Sequence, residues 1–471
     1  MDKGTLKRKW REWAGDLRKV RSEGTFARNA MFAFSGTAVV TLSQVLLTPL
    51  IARIYGPEAY GIYGIFFTIC TNLALAADGG LTLAYVLPRD DEKAMDLMRA
   101  NFLLVGAVVL ALLPLMAMRD LLFQQVPSWR GMGLWFYLIP LGTVAQAVPT
   151  MLTQWIARQK AFKRSAALGG GTNLALRLFN LGYGWATRGA MHGLILGEVL
   201  IRGLSLVPYV RALYPHHRRA LLERRSIRTM WRAVIEYRNY PLFIFPGRYI
   251  ALLGQQAPIL MLSGDTAVVG QFTLAAGLLL MPLRLIGYSL GTVFQQKAAE
   301  TRNERPETLA RVTHQFHERL FIIGVLPFLC ITFFSDLLFR TILGEPWAMS
   351  GTFACWMGPF FFFRFLSEPM STLLNVLRRE RAMFAFHSVL LVARIAALLC
   401  GLWLLRSSTG AVLVYSGVSV IAFLYFTGRL LAVVGAPWRK IIARDLLVLA
   451  VLGGIMALLR WWIMGDAFPM A

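Results

Sequence analysis

Apolar runs long enough to cross a bilayer follow one another along almost the whole of this sequence, and no other feature constrains the fold as tightly. The ~30 Å hydrocarbon core of a membrane takes ~20 apolar residues in a helix. Runs of that kind lie near residues 30–53, 62–87, 99–118, 134–156, 167–187, 190–210, 241–263, 269–295, 319–340, 350–376, 383–405, 410–431 and 445–463. No ten-residue alternation of apolar and polar positions occurs, which excludes a transmembrane β-barrel. The chain therefore reads as an all-α polytopic membrane protein. Only 16% of its residues are charged and 56% are hydrophobic, whereas soluble domains carry about a quarter charged residues.

The formal charge is +24. In a soluble protein that excess would point to nucleic acid. In a membrane protein it follows from the enrichment of Lys and Arg in cytoplasmic loops. With a cytoplasmic N-terminus and alternating runs, most of the 49 Lys and Arg residues fall on the inner side, in segments such as Arg158–Arg164, Arg211–Arg238 and Arg378–Arg381. The outer turns, such as Tyr55–Gly61 and Ser263–Gly270, are short and nearly neutral. Nucleic acid is thus not an expected partner; membrane lipid is.

Residues 1–28 form a basic cytoplasmic or interfacial N-terminus with no sign of a cleavable signal peptide. Within it, Leu6–Arg21 is basic with two tryptophans at helical spacing. It suits a juxtamembrane anchor or an interfacial helix on anionic lipid. The basic linker at 211–240 separates six runs at 29–210 from six at 241–432, and a thirteenth run with a short tail occupies 433–471. An even number of runs before the linker sends both halves into the membrane in the same sense. The turn Gly56-Pro-Glu-Ala-Tyr-Gly61-Ile-Tyr63 has a counterpart in Gly264-Asp-Thr-Ala-Val-Val-Gly270-Gln-Phe272. Parallel repeats of this sort characterise one class of transporter. The expected architecture is two parallel six-helix lobes plus a thirteenth helix.

Several arginines fall inside the apolar runs: Arg177, Arg202, Arg248, Arg284, Arg364 and Arg394. The acids Asp78, Glu198 and Glu368 accompany them. A charge in the bilayer costs ~2.5–3.5 kcal/mol even on the mildest scale, so these side chains are expected to face a wet cavity or a partner. Glu198 with Arg202, and Arg364 with Glu368, are four apart and share a helix face, which also suits self-neutralising structural pairs. Arg177, Arg284 and Arg394 lie mid-run without a local acid, where snorkelling cannot easily relieve them. Arginine's planar fork suits phosphate and stays protonated. The surplus positive charge therefore points to an anionic passenger such as a phosphate or pyrophosphate headgroup. Asp78, Glu368 and Glu198 are the candidates for coupling to a cation gradient.

Signals for catalysis are thin. Arg89-Asp90-Asp91-Glu92 has no nucleotide-binding domain around it and reads as a solvated inner loop. Gly169–Gly171 lacks the Gly-Lys-Ser/Thr of a phosphate loop, and like Gly193 and Gly197 it suits close helix contact. His216 and His217 have no third ligand at metal spacing. The cysteines Cys70, Cys330, Cys355 and Cys400 lie in apolar runs without paired spacing and read as packing residues. No metal, cofactor or enzymatic activity is expected.

In order and topology, several segments resemble the bacterial polysaccharide-biosynthesis flippases (Wzx-type). These belong to the superfamily that includes MATE-type multidrug exporters and the peptidoglycan precursor flippase MurJ. The segments are Thr48–Phe66, Val86–Arg89, Trp155–Arg164, Tyr237–Pro241, Gly254–Lys297 and Leu343–Trp347 with Gly351. The chain departs from the family pattern at Leu343, where Phe is usual, at Asn239, where Asp is common, and in its thirteenth run. The resemblance implies an inner-membrane protein that translocates an undecaprenyl-pyrophosphate-linked oligosaccharide for lipopolysaccharide or exopolysaccharide synthesis, by alternating access between the lobes. The polysaccharide polymerase and chain-length machinery would be its partners. A cation-coupled multidrug exporter on the same fold, or a non-transport membrane protein of envelope biogenesis, are the competing expectations.

Overall fold

Glycines, prolines and a few capping side chains cut this apolar sequence into helices. The computed structural model describes residues 24–223, 225–262 and 264–465; the basic segment Leu6–Arg21 lies outside them. In chain order the long helices are α1 (24–55), α2 (57–78), α3 (Asp91–Ala117), α4 (Ile139–Arg158), α5 (Phe162–Ala186), α6 (His192–Arg211), α7 (240–261), α8 (Thr266–Glu304), α9 (Leu309–Leu343), α10 (Ala348–Val376), α11 (Glu380–Leu404), α12 (Ser408–Val433) and α13 (Trp438–Met464). Each overlaps one of the expected runs.

The breaks have local causes. α1 stops at Gly56, whose φ of +71° costs a residue without a Cβ nothing. Pro57 then opens α2, where a missing N–H is harmless. Asp90 caps α3 by accepting the Glu92 amide at 3.0 Å, and Asp265 caps α8 by accepting those of Ala267 and Val268 at 3.0 and 3.1 Å. Gly344, with φ of +100°, ends α9 before the tight turn into α10.

Among the described residues, nine helical stretches are long and apolar enough to cross a membrane. The long helices outside that set include α5, α7 and α10, the ones that carry Arg177, Arg248, and Arg364 with Glu368. The reason is visible in α10: from Phe353 to Leu366 nearly every side chain is buried by other helices. A helix solvated by protein need not be as apolar as one solvated by lipid. α13 is the opposite case, with Leu447, Val451, Leu458 and Trp462 exposed along its length, the pattern of a lipid-facing span.

In the first half of the chain α1 packs on α5, α2 on α4, and α4 on α3 and α6; in the second half α10 is the hub, touching α8, α9 and α12, while α7 packs on α11. The halves meet where α8 lies against α1 and α2, and where α7 lies against α2. The two turns that the sequence marks as a repeat are brought face to face. Gly61 and Gly270 touch backbone to backbone, and Gly64 sits against Thr273 one turn further on. Nearby, Trp347 donates its indole N–H to the Ala52 carbonyl at 3.0 Å and Arg53 donates to the carbonyls of Thr341 and Ile342 at 3.0 and 2.8 Å. At this end, which carries the short loops, the halves are held together by backbone contact and carbonyl hydrogen bonds.

Candidate functional site

Among the described residues, the charges that the sequence places inside apolar runs fall into three groups. The first is built by α1, α2, α5 and α6. Glu198 is 3% exposed and sits in a π-turn, Gly197–Ile201, an irregularity common at functional sites. It accepts from the guanidinium of Arg202 four residues on and from the Tyr63 hydroxyl at 2.8 Å. Arg177 reaches this group from α5. Its one hydrogen bond among the described residues is a long one to the Thr48 hydroxyl, 3.4 Å, and its Nε is buried with no acceptor. Among the described residues no carboxylate lies within ion-pair distance of it. An unpaired guanidinium in low dielectric attracts any anion that can reach it.

The second group straddles the halves. Asp78, at the end of α2, is buried and accepts from the Thr82 amide and the Asn101 side chain, both at 3.3 Å. Arg248 of α7 lies 3.5 Å from its other oxygen, with 43% of the arginine side chain exposed. This pair was not apparent from sequence spacing, since 170 residues separate the two. Higher in the seam Asn72 of α2 donates to Gln256 of α7 at 2.5 Å.

The third group belongs to the second half. Arg364 donates to Glu368 at 2.5 Å and to Gln255 at 3.1 Å, so the expected pair forms and also ties α10 to α7. Arg394 is 3% exposed. It donates to the Ser419 hydroxyl at 3.0 Å and to the Gly254 carbonyl at 3.1 Å, and its guanidinium lies 4.8 Å from the Tyr415 ring and within 6 Å of Phe360 and Phe423. Neutral acceptors and aromatic faces thus take the place of an acid. Arg284 is exposed in another π-turn, Leu283–Gly287 of α8.

Two buried side-chain pairs that hold α13 to α9 were not legible from the sequence. Arg460 of α13, fully buried, makes a two-pronged pair with Asp336 of α9 at 2.6 and 2.7 Å. Nearer the basic face, His317 of α9 meets Asp445 of α13 at 2.6 Å. Both lie close to the ends of expected runs, where a charge reads as snorkelling; only the partner on the other helix reveals the pair.

The acidic segment Asp90–Glu92 is exposed, as its composition suggests, and it is also paired with basic side chains brought in from elsewhere in the chain. Asp91 pairs with Arg158 at 2.7 Å and faces His217 at 3.6 Å, and Glu92 pairs with Arg225 at 3.0 Å. With Lys93 bonded to Glu236 at 2.9 Å, this cap ties the basic linker to α3 and α4. A cavity of about 620 Å³ opens in the same seam, beside Asp91, Arg158, Lys160, His217 and Tyr214. Several of its polar groups are already engaged with one another: Arg158 with Asp91, and Gln159 with His217 at 2.6 Å.

A protein family described as polysaccharide biosynthesis protein matches residues 50–351, well over half of the chain. The chain belongs to that family. No curated protein matches it. Among solved structures the chain is similar to an inward-facing multidrug-resistance transporter of the MATE family in the MOP superfamily, with a TM-score of 0.65 at 14% identity, over 86% of this chain and 98% of that one. It is similar to the lipid II flippase MurJ in an inward closed conformation, with a TM-score of 0.64 at 14% identity, over 90% of this chain and 91% of that one. A MOP-superfamily transporter from Pyrococcus furiosus, whose binding pocket is described as reversed in polarity, matches with a TM-score of 0.54 at 14% identity, over 88% and 97%. At such identities the family member shares the fold of these proteins, an all-helical MATE/MurJ-like bundle.

Proposed function

We propose that this chain is a flippase of the bacterial inner membrane, moving an undecaprenyl-pyrophosphate-linked oligosaccharide from the inner to the outer leaflet for surface polysaccharide synthesis. Its N-terminus lies in the cytoplasm. Two six-helix lobes, 29–210 and 241–432, alternate about the seam formed by α1, α2, α7 and α8, with α13 outside both. The observation that carries this reading is Arg177, a guanidinium within the bundle with a buried Nε and, among the described residues, no acid at ion-pair distance. With Arg248 and Arg284, both exposed, it gives the passage a positive character suited to a pyrophosphate. Membership of a polysaccharide-biosynthesis family and a fold shared with a flippase for another lipid-linked precursor support the same cargo class.

A cation-coupled multidrug exporter on this fold would need an acid in the passage free of a cation. Asp78, Glu198 and Glu368 each already face an arginine, which disfavours that reading. The test is export of the surface polysaccharide by Arg177→Ala and Arg284→Ala variants confirmed to reach the membrane. Export is expected to be abolished in both; normal export in both overturns the cationic passage.

A further inference from the structure

The linker helix Ile227–Glu236 has an apolar face that the protein covers only in part. Ser226 caps it by accepting the Arg228 amide at 3.3 Å, and it is docked on α3, with Met230 and Ala233 buried. At about 100° per residue, the apolar arc continues past Met230 and Val234 through Ile227, Trp231 and Ile235. These three are 73%, 61% and 48% exposed. Arg228 and Arg232 follow next around the helix, both exposed, and only then Thr229 and Glu236. One helix thus shows three sectors in order: against the protein, apolar and uncovered, and basic.

Leu242 and Phe243, a few residues further along the chain at the start of α7, are exposed as well. Tryptophan flanked by arginines beside an apolar wedge is the pattern of a helix lying at the headgroup level. The linker around it carries further arginines, among them Arg218, Arg219 and Arg225, and clustered basic residues at a membrane surface select anionic lipid.

We propose that Ile227–Glu236 is an interfacial helix that docks on anionic lipid at the basic face, with Ile227, Trp231 and Ile235 in the acyl boundary and Arg228 and Arg232 on the headgroups. The salt bridges Lys93–Glu236 and Glu92–Arg225 hold the helix and the residue before its cap to α3 at a fixed height, so the lipid contact sets the depth at which the chain enters α7. This needs the chain to span a membrane, and does not depend on the identity of the cargo.

The full-length protein is reconstituted in nanodiscs of either phosphatidylglycerol with phosphatidylethanolamine or phosphatidylcholine alone. Ile227→Cys, Trp231→Cys, Ile235→Cys and Thr229→Cys variants are then reacted with a membrane-impermeant maleimide, with the parent chain as the blank. In anionic discs the first three are expected to react about tenfold more slowly than Thr229→Cys, as burial at the acyl boundary requires. In phosphatidylcholine that difference is expected to shrink. Equal reactivity at all four positions overturns the docking; equal protection in both discs overturns the anionic-lipid requirement. Protection that appears only on dimerisation, judged by the size of the loaded discs, overturns lipid as the occupant. Thr229→Cys, exposed and on the water side, reports that the helix remains folded and reactive.

Discussion

Gly61 and Gly270 each occupy the place where the other's helix would need a side chain. A Cβ on Gly61 would collide with the Thr266 carbonyl and come 3.1 Å from the Gly270 nitrogen; a Cβ on Gly270 would collide with the Pro57 carbonyl and come 2.9 Å from the Gly61 nitrogen. The reciprocity is that of a two-fold axis between the turns before α2 and α8. It arises because each helix carries, just past its first turn, a glycine small enough to admit the other's backbone.

Gly61→Ala and Gly270→Ala are therefore expected to destabilise this arrangement by about 1–3 kcal/mol, the usual cost of overpacking. The measurement is the Tm of the purified protein, together with maleimide labelling of Thr273→Cys, whose side chain is packed on Gly64 in the same contact. Faster labelling in the alanine background is expected if the contact closes this end. An unchanged rate with an unchanged Tm would show that the interface yields without cost.

Arg394 and Arg177 are predicted to separate into structural and functional roles. Arg394 is enclosed by three aromatic rings and two neutral acceptors. Arg394→Met should lower the Tm, while the folded fraction keeps its dependence on substrate concentration. Arg177→Met should leave the Tm nearly unchanged and weaken cargo binding. A loss of stability from Arg177→Met equal to that from Arg394→Met would contradict this division.

The Asp78–Arg248 pair joins α2 to α7 with its carboxylate buried and 43% of its arginine exposed, and an amide of the same shape removes the carboxylate's charge without removing its packing. Asp78→Asn should thus unfold at nearly the parent temperature yet alter transport, because the cation it balances becomes surplus. Export at the parent rate would show that the pair is not used in the cycle.

α13 is fastened by Arg460–Asp336 and His317–Asp445, the first with a fully buried arginine. Breaking a buried pair from one side costs about 3–5 kcal/mol, whereas replacing both members with apolar residues is often neutral. Arg460→Met is expected to melt well below the parent and Arg460→Met with Asp336→Leu to recover most of that loss. A double variant no more stable than the single would refute the clamp.

The all-helical architecture, the positions of the long helices, and the i,i+4 pairs Glu198–Arg202 and Arg364–Glu368 were legible from the chain. Each depends on short-range spacing: the length of an apolar run, or the helical repeat that puts residues four apart on one face. The paired turns were legible too, as a likeness between Gly56–Tyr63 and Gly264–Phe272.

Residue spacing could not show which charge meets which across helices. Arg460 and Asp336, or Asp78 and Arg248, are over a hundred residues apart, and inside a bilayer a charge takes whatever partner the packing supplies. The partners of the exposed acidic cap Asp90–Glu92 were hidden for the same reason, since they arrive from α4 and the linker. The sequence by itself determined that this chain is a multi-pass membrane protein and where its long apolar helices lie, because hydropathy is a property of consecutive residues. Only the tertiary structure decided which arginines are matched, which are enclosed and which keep a cation to offer, because that depends on neighbours the chain brings together late.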